Sequence, residues 1–235
     1  MNEMKPETIN ISGKECYVYF HPEASCLLIQ PVDDHDLELL EKEVEMMEAL
    51  TDKPFSFVAF RIEDWNKELT AWAAPPAFGR VPFGDGARQT LTFITDRLLP
   101  AMQGRGLDVS HCLLGGYSLA GLFALWAGYQ CDRFQGIAAV SPSVWYPGWI
   151  EYVATRKAFA KAVYLSLGDK EERARNAVMA QVGKAIRRQH ELLSAQSVDT
   201  ILEWNPGNHF VDSEKRMAKG FAWTVNNTVN QRRDE

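Results

Sequence analysis

The sequence predicts an α/β fold with a mostly parallel central sheet covered by helices on both faces. Two features of the second half carry this: strand-like runs that are apolar throughout rather than alternating, and helical patterns set between them. The third is size. With 235 residues, 46% of them apolar, the chain can bury one large core, so a single domain over residues 1–235 is expected.

The elements follow in order. Glu15–Phe20 and Cys26–Val32 read as strands, the first alternating with aromatic and branched residues, the second a compact apolar run. Asp34–Leu50 is helical, with Leu37, Leu40, Val44 and Met47 on one face and Asp34 or Asp36 as cap. Phe55–Ile62 is a strand. From Glu63 to Gly86 prolines, glycines and two tryptophans break every period, in a stretch far longer than an ordinary connector. Long irregular segments of this kind are often binding loops. Ala87–Gln103 resumes helical spacing. Strands Val109–Leu114, Gly136–Val140, Ala162–Leu167 and Thr200–Trp204 then alternate with helices Leu119–Gln130, Arg173–Leu193 and Asp212–Val229. No insertion is large enough to form a lid domain.

Composition narrows the function. Acidic residues outnumber basic ones 31 to 25, which argues against nucleic acid or an anionic membrane surface as partner. No apolar stretch approaches the roughly 18 residues of a membrane span, and Met1–Asn10 does not read as a secretory signal. Cys16, Cys26, Cys112 and Cys131 form no C-x-x-C pair, so reduced thiols and a cytoplasmic location are expected. Scattered histidines give no metal-ligand spacing, and neither a metal nor another cofactor is expected.

The most informative stretch is Leu113-Leu114-Gly115-Gly116-Tyr117-Ser118-Leu119-Ala120-Gly121. A strand runs through glycines into a serine and out into an apolar helix. So sharp a turn strains the serine and demands small residues two before and two after it, here Gly116 and Ala120. It lifts the hydroxyl to the positive end of the helix, where developing negative charge is favoured. A helix-capping serine is the bland alternative; the setting between buried strand and apolar helix favours a nucleophile.

A serine hydroxyl needs a base, and the base a carboxylate to orient it. His209 lies in the turn Asn205–Phe210, between the last strand and the last helix, where α/β sheets present functional groups. The acid is expected after the strand ending at Leu167. Asp169, Glu171 and Glu172 all qualify, with Glu171 favoured by its spacing from Gly168 and Asp169 second.

These three motifs in this order resemble the α/β-hydrolases. Ser141-Pro142-Ser143-Val144-Trp145, and more weakly Asp64-Trp65-Asn66 through Trp72 and Pro75, are similar to the putative-esterase family, with its esterase D-like, feruloyl-esterase-like and siderophore-esterase-like members. The resemblance covers about residues 15–230. It implies a serine esterase acting on a small-molecule carboxylic ester through an acyl-enzyme. Ser118, His209 and Glu171 would be catalytic, with the Leu119 amide and one near Val32 as oxyanion hole. The chain departs from the family at Ala120, where glycine is usual, and at Gln30-Pro31-Val32-Asp33, where a His-Gly pair is usual. A catalytically idle binding protein on the same fold, or an amidase or acyltransferase with the same triad, is the alternative.

Aromatic residues crowd the loops. Trp65, Trp72 and Trp145, with Tyr117 beside the serine, are the candidate substrate-binding residues, and Phe78 and Tyr146 belong to the same set. With few charges among them, the cleft is expected to prefer short neutral or aromatic esters.

Overall fold

The computed structural model describes residues 4–77 and 79–229, so Phe78 lies outside the described residues. Eight strands form one sheet: β1 (Pro6–Ile11), β2 (Lys14–Tyr19), β3 (Leu27–Val32), β4 (Ser56–Arg61), β5 (Cys112–Tyr117), β6 (Phe134–Val140), β7 (Ala162–Gly168) and β8 (Asp199–Asn205). Their order is β1-β2-β4-β3-β5-β6-β7-β8, with β1–β2 and β2–β4 antiparallel and every later pairing parallel. The polar Pro6–Ile11 strand was not expected from sequence; as an edge strand it is mostly exposed, so it carries no apolar signal.

Period-2 alternation sorts the core into two layers. In β4, Phe57 and Ala59 face α1 (Asp34–Leu50) and α8 (Ser213–Thr228), alongside Leu40, Met47 and Phe221. Val58 and Phe60 face the opposite layer with Ile94, Leu98, Phe123 and Trp149. That layer holds α3 (Ala87–Phe93), α4 (Leu99–Gly104), α5 (Leu119–Gly128), α6 (Trp149–Ala154) and α7 (Val182–Ser194). All ten residues of α5 are buried, as expected for a helix apolar all round. The Asp33 side chain caps α1, accepting from the Asp36 amide at 2.9 Å.

Two predicted helices are interrupted. Between α3 and α4, Ile94–Leu98 is a π-helical turn, with the Leu99 amide donating to the Ile94 carbonyl. Pro100 has no amide to continue an α-helical ladder, and the wider turn absorbs the loss. The helix expected over Arg173–Leu193 begins only at Val182, preceded by 3-10 turns at Glu171–Arg173 and Met179–Gln181. Asn176 breaks it: its Oδ1 accepts from the Val178 and Met179 amides, and its Nδ2 donates to the Ala77 carbonyl. Among its described residues, the irregular stretch 63–86 holds α2 (Trp65–Glu68) and one bridge, Ala74–Phe83.

After β3 the chain crosses to β4 on one side, and after β4 to β5 on the other. The crevice at the C-terminal ends of β3 and β5 is thus a switch point, where open α/β sheets bind ligands.

Candidate active site

Ser118 joins β5 to α5 with φ 57° and ψ −120°, a left-handed conformation that a non-glycine residue adopts only under strain. The small neighbours make that turn possible. A Cβ built on Gly116 would stand 2.6 Å from the Cβ of Ala120, so Ala120 is accommodated because its partner is glycine. The Leu119 amide lies in the first turn of α5, whose amides have no intrahelical acceptor.

Ser118, His209 and Glu171 come together from the ends of β5, β8 and β7. His209 Nε2 lies 3.1 Å from Ser118 Oγ, and His209 Nδ1 lies 2.7 Å from Glu171 Oε2. A carboxylate at Nδ1 fixes the proton there and leaves Nε2 as acceptor for the serine hydroxyl. Burial alone would raise the Glu171 pKa. Hydrogen bonds from His209, Ser141 and the Gly168 amide, with the charge of His209, hold it below the ordinary carboxylate range. The other two acids are elsewhere: Asp169 accepts from the Gly207 amide at 2.8 Å, and Glu172 pairs with Arg187.

The sequence did not reveal what holds this group in place. Arg216, on α8 and only 2% exposed, donates to Glu171 Oε1 at 3.3 Å and to the carbonyls of Pro206 and Asn208 at 2.8 and 3.1 Å. It also reaches the hydroxyls of Tyr117 and Ser141. Ser141 Oγ donates to Glu171 Oε1 at 2.7 Å, and Ser143 Oγ is 3.3 Å from Ser118 Oγ. Gly168 lets the acid and base loops meet, since a Cβ there would lie 2.5 Å from the Gly207 carbonyl oxygen. An arginine in register with Met217, Gly220 and Phe221 on the buried side of α8 was the available signal.

A cavity of about 560 Å³ opens beside Ser118 and Leu119, walled by Trp65, Trp145, Met179, Val182 and Phe210. A smaller one of about 170 Å³ also reaches Ser118 and His209 and includes Asp33, His35, Asp36, Trp65 and Tyr117. Trp65, Trp145 and Tyr117 are therefore at the site. Trp72 is not: its Nε1 donates to the Pro147 carbonyl, and its ring packs on Tyr146 and Tyr152. Tyr146 is buried, with its hydroxyl on the Trp72 carbonyl.

Val32 is not brought to either cavity. It continues β3 in register with Arg61 of β4, is completely buried, and gives its carbonyl to the Ile62 amide. The next residue, Asp33, reaches the smaller cavity, but its amide donates to Asp36 Oδ2 at 3.2 Å. Among the other histidines, His111 is buried against Thr228 and His21 accepts from the Glu23 amide.

No group of three or more His, Cys, Asp or Glu among the described residues is arranged to hold a metal ion. No helix among them is long and apolar enough to cross a membrane.

The mostly parallel sheet and the strained serine between β5 and α5 define an α/β-hydrolase fold. Within that class, residues 45–213 match the family model described as Putative esterase, and the chain belongs to that family of carboxylic ester hydrolases. Solved structures agree on the fold. An IroE-like serine hydrolase from Shewanella oneidensis superposes with a TM-score of 0.78 at 14% identity, over 93% of this chain and 79% of that one. The siderophore hydrolase EstA from Aspergillus nidulans gives 0.71 at 18% identity, over 96% and 95%. The enterochelin esterase from Shigella flexneri gives 0.72 at 15%, over 97% of this chain and 60% of its own. No curated protein matches the chain in sequence.

Proposed function

We propose that this enzyme is a serine esterase that cleaves a carboxylic ester of a small molecule through an acyl-enzyme, with Ser118 as nucleophile, His209 as base and Glu171 as the orienting acid. One observation carries the reading: the unbroken chain from Ser118 Oγ through the imidazole to the Glu171 carboxylate, at 3.1 and 2.7 Å. An unused serine on this fold has no call for a base so placed, and a buried carboxylate behind it.

In this reading Ser118 Oγ attacks the ester carbonyl carbon as His209 Nε2 takes its proton. The resulting oxyanion is stabilised at the N-terminus of α5 by the Leu119 amide. Ser143, buried and 3.3 Å from Ser118 Oγ, supplies the second donor in place of the Val32 amide. The tetrahedral intermediate collapses, and His209 gives its proton to the departing alkoxide. Water then repeats the sequence on the acyl-enzyme, with its proton passing to His209, and releases the acid. The apolar cavity suits a small organic ester, and the siderophore hydrolases among the structural neighbours make siderophore esters a reasonable first panel.

The test is labelling by a fluorophosphonate together with turnover of 4-nitrophenyl esters. Ser118 should carry the label, and Ser118→Ala should lose at least about a thousandfold in kcat while keeping its thermal midpoint. His209→Ala should lose a similar factor, and the double variant little more, because triad members act as a unit. Retained turnover in Ser118→Ala, or losses that multiply, would remove this assignment.

A further inference from the structure

Resting on that reading, we infer that the preferred ester carries a carboxylate on an apolar body, and that Lys170 and Arg175 recognise this group in the larger cavity. The sequence suggested a cleft with few charges, but folding changes that. The break in the helix at Asn176 carries the loop after β7 into the wall of the cavity, where Lys170 and Arg175 line it beside Ser118, Trp145 and Phe210.

What distinguishes these two cations is that their acidic neighbours are all engaged elsewhere. Asp169 takes the Gly207 amide, Glu172 pairs with Arg187, and Glu171 is held by His209 and Arg216. Among the described residues neither Lys170 nor Arg175 has an ion pair, and Glu171 is the only carboxylate on the cavity wall. The buried Arg216 offsets the charge of Glu171, so the wall is positive in a molecule whose formal net charge is −6. Lys170 and Arg175 are both exposed where they line the cavity, so this local reversal of sign attracts an anion to the site and is open to screening by salt. The remaining wall is aromatic and aliphatic, which selects one charge on an apolar frame over a polyanion. A volume of about 560 Å³ is ample for such a ligand.

Two matched pairs test this: mono-4-nitrophenyl glutarate against 4-nitrophenyl glutaramate, and 3-acetoxybenzoate against 3-acetoxybenzamide. They place the carboxylate, or its neutral carboxamide isostere, on the acyl or the alcohol side. At low salt at least one carboxylate should exceed its amide about tenfold in kcat/KM, chiefly through KM, and the ratio should fall toward one in about 0.5 M NaCl. The Lys170→Ala/Arg175→Ala variant should show the same collapse of the ratio. A carboxylate-to-amide ratio near one in both pairs, or a preference that survives the double substitution, would overturn the inference. Calorimetric binding to Ser118→Ala separates the subsite from the chemistry. Tighter binding of the carboxylate there, lost when Lys170 and Arg175 are also replaced, supports the subsite even if the wild type hydrolyses neither member, an outcome that would instead defeat the esterase mechanism. Equal binding of carboxylate and amide to Ser118→Ala defeats the subsite even if both are hydrolysed.

Discussion

The Tyr117 hydroxyl donates to the backbone carbonyl of His209 at 2.8 Å, so the residue directly before Ser118 holds the main chain of the imidazole that faces it. The two loops share a second tether. Arg216 donates to the Tyr117 hydroxyl and to the carbonyls of Pro206 and Asn208, either side of the same turn. Ser118 and His209 are thus aligned by Tyr117 at the edge of the site and by Arg216, which lines neither cavity.

Arg216→Met should therefore act on both stability and rate. Removing one member of a buried ion pair costs about 3–5 kcal/mol, readable in urea unfolding. The rate should fall through kcat with KM little changed, and the acid limb of the pH–rate profile should move to higher pH, because losing a cation makes protonation of the site easier. Arg216→Lys, able to reach fewer partners, should recover part of both. A variant that is unstable but keeps its profile would reduce Arg216 to scaffold.

Among the three acids the ranking should be sharp. Glu171→Gln should lower kcat by about a hundredfold or more, since the amide cannot hold the correct imidazole tautomer as the carboxylate does. Asp169→Asn should loosen the Gly207 turn with a smaller loss, and Glu172→Gln, on the exposed pair with Arg187, should be near neutral. Steady-state kinetics on the three variants, with circular dichroism as control, decides the order.

Trp145→Ala should raise KM for an aryl ester more than for ethyl acetate, because its ring lines the larger cavity. Trp72→Ala should instead lower the thermal midpoint, since its ring packs on Tyr146 and Tyr152 and its Nε1 is bound to the Pro147 carbonyl. Equal KM effects in the two variants would show that the aromatic wall is not what grips the substrate.

Glu43→Gln should stabilise the protein increasingly as pH rises. Glu43 is buried on α1 with a long contact, 3.5 Å, to Gln30, and among the described residues its Oε1 has no hydrogen-bond partner. Burial, reinforced by the negative charge of Asp36, raises its pKa well above the usual value. Its neutral form fits the folded state, so the wild type loses stability as pH climbs from the unfolded carboxylate range of about 4.5 toward the raised folded value. The glutamine cannot ionise and escapes that loss. Urea midpoints at pH 5 and pH 8 should diverge between the two proteins; parallel curves would mean that Glu43 ionises at little cost.

Much of this was legible in the sequence, for physical reasons. Strands buried on both faces are apolar throughout, so β5, β6 and β7 announce themselves, and the size limit at Gly116 and Ala120 marks the Ser118 turn. What was hidden depends on long-range partners. Pro6–Ile11 is a strand because β2 pairs with it, not because of its composition. Trp72 and Trp145 look alike in a linear reading and part company only when Pro147 and Phe83 take their places beside them. Val32 sits where the family pattern would put a donor, yet β3 runs on through it. Arg216 reads as one more helical charge until the loop carbonyls it serves are in place.

The serine, the acid, the histidine and the arginine occur at 118, 171, 209 and 216, which is also the order of their synthesis. A growing chain carries its strained elbow long before it carries anything able to activate it. On the proposed reading, the group that ties the Glu171 and His209 loops together is therefore the last to emerge, and a chain released before residue 216 keeps the Tyr117 tether to His209 but lacks the arginine that bridges that turn to Glu171.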